Sequence, residues 1–296
     1  MFDYLAWIAT LMCVYSMIAV SLNIQAGGAG LINFGQVAFA GMGGYAVAIC
    51  SRAGLGGWTG LVAGMAAAAV AGYLLGRLGR TLGGVYWAIA TLAVAELLRL
   101  VISNTNAVAG GTQGISAVAP LWGGLDGIAA SAARLALALA FLAASVLVAV
   151  HVDRSQLGRS LRIIRENEPL AAGLGIDVVS AKSKALALAG GIAALAGGFH
   201  ASDLSFVGPD QLLPFETFLA LTMVVVGGLG RISGAVAGAV VVEALYDGTR
   251  YFHGFLGLAN DQIAALRILL VGAILLGFLL LRPNGIIVDR PRRVHV

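Results

Sequence analysis

A 296-residue chain that is 59% hydrophobic and only 11% charged, with a mean hydropathy of +0.94, carries too little polar surface for one or two soluble domains and reads as an integral membrane protein. Its net charge of +4 gathers at the ends of apolar runs without interleaved aromatics, which excludes a nucleic-acid partner and points to orientation in a lipid bilayer. The 42 glycines lack a collagen period and suit close helix approach, so the composition predicts an all-α, polytopic transmembrane bundle forming a single domain over 1–296.

In chain order, the first apolar run covers about 5–25. No Lys or Arg precedes it and no small-residue cleavage site follows, so it is expected to be a retained span rather than a signal peptide. At roughly 20 apolar residues per crossing, further runs fall at 31–50, 57–76, 84–102, 134–151, 183–201, 214–230, 233–247 and 263–281. That makes nine candidates, within an expected range of about 8–10 spans. The second run is crowded by Gly27, Gly28, Gly30, Gly35, Gly41, Gly43 and Gly44. The seventh and eighth are crowded by Gly227, Gly228, Gly230, Gly234 and Gly238. Both regions are expected to be broken or re-entrant, and their recurrence hints at an inverted repeat of the transporter kind, although no repeat can be aligned.

Asn33, Gln36 and Phe39 in the second run are the polar and aromatic groups expected to line a translocation path, because a helix broken at mid-membrane offers its N-terminus to a carboxylate. Interhelical glue is the competing role for Asn and Gln. Glu96 and Arg99, three apart in the fourth run, are costly alone in lipid and are expected to neutralise each other on one helix face, with a pathway role as the alternative. After that run the segment 103–131 is the longest polar stretch, and its GGTQGI at 110–115 either shapes an outer mouth or makes a turn. Gly230, Gly234 and Gly238 form two G-x-x-x-G steps, which predict a flat packing strip on one helix side. Glu216 and Glu243 are expected to be solvated or paired near span ends or packed interfaces.

Basic residues set the orientation. Arg77 with Arg80, the stretch from Arg154 to Lys184, Arg231, and the stretch from Arg282 to Arg293 are separated by two runs each, so all four loops are predicted to be cytoplasmic. Three runs precede Arg77, which places the N-terminus outside and the C-terminus inside.

The loop 152–182 is the largest of these. Leu157, Leu161 and Ile164 share one helical face, with Arg159, Arg162, Arg165 and Glu166 on the others. Pro169 then favours a new helix capped by Asn167 or Glu168 and running to Leu174, where Gly175 can adopt the left-handed conformation that ends it. Two short helices meeting at a bend make a knob suited to docking a partner; an interfacial helix on anionic lipid has the same pattern. The only lysines, Lys182 and Lys184, follow no phosphate-cradling glycine loop, and no H-E-x-x-H or G-x-S-x-G is present. His151, His200, His253 and His295 are scattered, and Cys13 and Cys50 lie in apolar runs without metal spacing. The chain is therefore expected to hold no metal or cofactor and not to be an enzyme.

Several blocks are similar in sequence and order to one family. LGRSLRIIRENEPLAAGLGID, SLNIQAGGAGLINFGQVAFAGMGGYAVA, TLAVAELLRLVISNTNAVAGGTQGI, ALALAGGIAALAGGFHA, VVVGGLGRISGAVAGAVVVE and LRPNGI resemble the permeases of branched-chain amino acid ABC importers, over about residues 21–286. The resemblance implies an ABC importer permease fold in the bacterial inner membrane, with the path at a permease dimer interface. The implied partners are a second homologous permease, two cytoplasmic ATPase subunits that use the ATP, and a solute-binding protein outside. It assigns Leu157, Gly158, Leu161, Arg162, Arg165, Glu166, Ala171, Ala172, Gly175 and Ile176 to the segment that couples to the ATPase. Branched-chain amino acids are the expected solute; urea, short amides and aromatic acids are open within the family. An ion-coupled secondary transporter or a passive channel are the readings from other classes.

Overall fold

A computed structural model describes residues 2–125, 127–248, 260–281 and 285–286. Helix α1 (Phe2–Asn23) runs into a π-helical turn at Ile24–Gly28, closed by Ala29, and α2 (Gln36–Arg52) starts only after six non-helical or turn residues at 30–35. Then follow α3 (Gly57–Leu78), α4 (Gly84–Asn104), the short α5 (Asn106–Ala109) and α6 (Gly127–Arg154). The loop helices α7 (Gln156–Glu166) and α8 (Glu168–Gly173) lead to α9 (Val178–Leu204), α10 (Pro214–Gly227), α11 (Ile232–Gly248) and α12 (Asn260–Leu281). Among the described residues the architecture is all-helical except for one antiparallel pair of two-residue strands, β1 (Ile115–Ser116) and β2 (Phe206–Val207), with Ile115 opposite Val207.

Each of the nine apolar runs is met by a helix, but the helices are unequal. Five are long and apolar enough to cross a bilayer: Asp3–Gly28, Gly57–Thr81, Gly84–Asn104, Gly127–Arg154 and Val178–Leu204. The α10 and α11 pair, bent by 119° at its break, makes a sixth if taken as one span, among the described residues. Among the described residues, glycines shorten the helix of the second run and bend the pair formed by the seventh and eighth. In α2, 17 residues reach about 26 Å at 1.5 Å per residue, short of the roughly 30 Å hydrocarbon core. Between α10 and α11, Gly228 (φ +109°) and Gly230 (φ +92°) take backbone angles that a side chain would resist, and the chain turns back on itself there.

Helix α9 is the centre of the bundle. It packs on α1, α2 and α3, and Leu186 and Phe199 on it are fully buried. Small residues set these contacts: a Cβ at Gly72 of α3 would lie 2.5 Å from the Leu186 carbonyl oxygen, so any larger residue would push the two helices apart. Hydrogen bonds close one end of the bundle. Ser202 on α9 donates to the Ala119 carbonyl (2.9 Å) and accepts from the Leu121 N–H (2.9 Å), Ser51 at the end of α2 accepts from the Ala119 N–H (3.0 Å), and Trp58 on α3 donates to the Leu121 carbonyl (3.1 Å). Nearby, Arg134 on α6 pairs with Asp203 on α9 at 3.4 Å. The opposite end holds the loop carrying Arg77 and Arg80, the α7 and α8 segment, and the turn before Arg231.

Candidate functional site

The α7 and α8 segment is a helical hairpin built by its own caps. Ser155 accepts from the Gly158 N–H (3.4 Å) to start α7, and Asn167, rather than Glu168, accepts from the Leu170 N–H (3.0 Å) to start α8. Pro169 stands in the first turn of α8, where its missing N–H costs nothing. The chain leaves α8 through Gly175, with φ +78°, and the Ile176 N–H donates to the Ala171 carbonyl (3.1 Å). A Cβ at Gly158 would come 2.5 Å from the Asp153 carbonyl oxygen, so the sharp junction between α6 and α7 needs glycine there.

Burial divides the ten residues that the resemblance assigns to coupling. Leu161, Gly158 and Ala171 are buried in the chain's own body, with Leu157 and Ile176 partly so, and they seat the hairpin on the bundle. Arg162, Arg165, Glu166, Ala172 and Gly175 are exposed. Arg162 pairs with Asp153, and Lys182 holds Glu168 at 2.8 Å. The sequence reading overlooked Leu170 and Leu174, which stand on α8 and at its end with 55% and 64% exposure. Their i, i+4 spacing is visible in the sequence, whereas the apolar ridge of α7, with Leu161 and Ile164, faces inward.

Arg165 reaches back to the bundle, its Nη1 donating to the Gly27 carbonyl at 2.6 Å in the π-helical turn. One turn earlier, Asn23 accepts from the Gly230 N–H at 2.9 Å. The hairpin is thereby linked through the end of α1 to the break between α10 and α11. Gly230 lies in that break and not on a helix, so the expected three-glycine strip is reduced to Gly234 and Gly238. A Cβ at Gly238 would lie 2.6 Å from the Gly227 nitrogen, which places those two against the end of α10.

Asn33 and Gln36 are fully buried and knotted together. Gln36 Oε1 accepts from Gln25 (2.7 Å) and Asn33 (3.2 Å), its amide donates to Ser21 (2.6 Å), and Asn33 also donates to Gln25 Oε1 (3.0 Å). Thr91 of α4 and Thr217 of α10 accept from the Phe34 and Val37 N–H groups (3.1 and 3.2 Å). This network answers the orphan backbone and amide groups of a broken helix in an apolar body. Phe39 packs among Ala68, Ala193 and Ala194. Gln25, Ser21, Thr91 and Thr217 were not singled out in the sequence because their partners lie up to 180 residues away.

Glu96 and Arg99 pair on α4 through two bonds, 2.5 and 2.9 Å, and both are partly exposed. Glu216 receives the Tyr15 hydroxyl (3.1 Å). Glu243, by contrast, is neither solvated nor fully partnered: it is 2% exposed and its Oε2 has no hydrogen bond. Cys13 and Cys50 are free thiols.

Residues 4–279 match the family described as branched-chain amino acid transport system, permease component. The chain is 29% identical to the high-affinity branched-chain amino acid transport system permease protein LivM of Escherichia coli K12, over 96% of this chain and 70% of that protein. It is 27% identical to the probable branched-chain amino acid transport permease protein LivM of Methanocaldococcus jannaschii, over 98% and 94% respectively. No solved structure matches it. The chain belongs to the branched-chain amino acid transport permease family: it is a multi-pass membrane subunit of a multi-component ABC transport system, and not an enzyme.

Proposed function

We propose that this chain imports branched-chain amino acids as one of two permease subunits, driven by cytoplasmic ATPase subunits and fed by a solute-binding protein on the outside of a bacterial inner membrane. The observation that carries the reading is the link from the exposed hairpin, through Arg165 and the Gly27 carbonyl, to the Asn23 and Gly230 contact. A push on α8 is transmitted to the two places where the bundle's helices are broken, and broken helices are the elements that can open a path without unpacking the whole bundle. ATP stays with the partners, because this sequence has no phosphate loop of its own. The names of the relatives supply the solute class.

In this reading the end bearing Arg77, Arg80, α7, α8 and Arg231 faces the cytoplasm, in line with the excess of Lys and Arg there. The end closed by Ser202, Ser51 and the β pair faces outward, under the binding protein. Exposed Leu170 and Leu174 are the apolar anchors for the ATPase, with Arg162 and Glu166 on the rim.

The test is ATP-dependent uptake of leucine, isoleucine and valine into vesicles holding the assembled complex. Uptake is expected only with nucleotide and binding protein present; uptake by the lone chain without nucleotide would sink the reading. Leu170→Asp or Leu174→Asp should leave the chain folded yet remove substrate-stimulated ATP hydrolysis, measured as phosphate release.

A further inference from the structure

A basic crevice opens at the end of the bundle that bears Arg77 and Arg80. It lies where two long apolar spans meet: α3 ends and α4 begins on either side of the loop 79–83, which sets the crevice at the depth of lipid headgroups. Gly76 and Arg80 line it from α3 and the loop, Trp87 from α4, Glu168 from α8, and Lys182 and Leu186 from α9. Its interior of about 20 Å³ admits one water-sized atom, so a ligand sits at the mouth and sends in a single polar atom.

The surroundings favour an anion. Lys182 is partly neutralised by Glu168 at 2.8 Å, whereas Arg80 is exposed and its side chain makes no hydrogen bond or ion pair among the described residues. Arg77 adds charge from a fixed place, its Nη2 donating to the Tyr73 hydroxyl at 3.0 Å. Helix α4 starts at Gly84 with no side-chain cap, and Gly83 and Gly84 are both exposed, so the free N–H groups of its first turn add the positive end of a helix dipole. Trp87 is 3% exposed and its Nε1 has no hydrogen-bond partner; an oxygen acceptor entering the crevice restores that bond. Beside these groups Leu78, Val85 and Tyr86 are 80%, 73% and 71% exposed. A free anion has no use for that apolar surface, whereas an anion carrying acyl chains does.

We propose that this crevice binds one anionic phospholipid: the phosphate rests on Arg80 and the first turn of α4, one of its oxygens enters between Lys182 and Trp87, and the acyl chains lie along Leu78, Val85 and Tyr86. Charge complementarity at headgroup depth names the occupant, because basic pockets between spanning helices select acidic headgroups. The assignment rests on the chain's place in the membrane alone, and holds or fails independently of the import reading.

The test titrates the purified full-length chain in detergent with dihexanoyl phosphatidylglycerol, dihexanoyl phosphatidylcholine and inorganic phosphate, following the thermal midpoint and the lipid retained in native mass spectrometry. Phosphatidylglycerol is expected to bind and raise the midpoint. Phosphatidylcholine, which has no net charge, and inorganic phosphate, which has no acyl chains, are expected to bind more weakly. Arg80→Gln should weaken phosphatidylglycerol about fivefold, as loss of one cation near an acidic headgroup does. Arg52→Gln, which removes an exposed cation at the opposite end of the bundle, should leave binding unchanged. Glu168→Gln releases Lys182 and should tighten binding, which guards against a trivial loss through misfolding of the Arg80 variant. No binding of phosphatidylglycerol, equally tight phosphatidylcholine, equally tight inorganic phosphate, or equal losses from the Arg80 and Arg52 variants would each overturn the site. The second of these results marks an unselective lipid contact, the third a free-anion pocket, and the last an effect of overall charge.

Discussion

At the scale of single residues, the buried amides decide more than the charges do. Gln36 uses its carbonyl twice and its amide once inside an apolar body, so each partner it holds becomes an orphan if the side chain is cut back. Gln36→Leu is expected to cost about 1–3 kcal/mol for each buried polar group left unpaired. The check is a lower thermal midpoint of the purified chain, and an unchanged midpoint would show that the knot contributes no stability. Glu96 and Arg99 predict a different pattern. Glu96→Gln or Arg99→Gln alone leaves one charge in an apolar span, whereas the double substitution leaves none, so the double variant should be closer to wild type in folded yield than either single one. The pair itself was legible from its three-residue spacing. The amide knot was only half legible, since Asn33 and Gln36 stand out in a Gly-rich run but nothing local says that Gln25, Ser21, Thr91 and Thr217 complete it. The sequence left Asn33 and Gln36 between lining a path and holding helices together, and the structure shows both amides buried and hydrogen-bonded to their neighbours, as the polar groups of a broken helix require.

At the scale of elements, glycine spacing set close approach but not helix continuity. Gly234 and Gly238 were expected to act with Gly230, yet the left-handed φ of Gly230 puts it in the turn, where its N–H is used by Asn23. Gly238→Ala would bring a methyl 2.6 Å from the Gly227 nitrogen, and overpacking of this kind costs about 1–3 kcal/mol. The expected result is a looser α10 and α11 hairpin, seen as faster hydrogen exchange at 223–238 than in the wild-type chain. The loop helices were more legible. Asn167, Pro169 and Gly175 each carry a cap or stop signal that depends only on neighbours in sequence, and all of them act in the structure. What sequence periodicity could not give was the direction in which the α7 ridge points. That depends on the body beneath it.

At the scale of the whole molecule, each of the nine apolar runs found its helix, whereas the turn of 119° between α10 and α11 shows only in the structure, because run length does not register direction. The proposed orientation is open to direct test. In a chain with Cys13 and Cys50 replaced by Ala, a lone cysteine at exposed Gly124 should react with an impermeant maleimide added to intact spheroplasts, and one at exposed Leu174 only after lysis. The reverse labelling would invert the bundle and remove α8 from the ATPase. Membership of the family was legible from ordered blocks spread along the chain, which no single glycine-rich stretch could have supplied.

The central place of α9 also bears on how the protein is made. Eight helices, α1 to α8, leave the ribosome before it, yet α2 and α3 find their main packing surface, and the Ala119 carbonyl its serine donor, only on residues 178–204. During that interval the nascent chain has early helices in the bilayer without their seat.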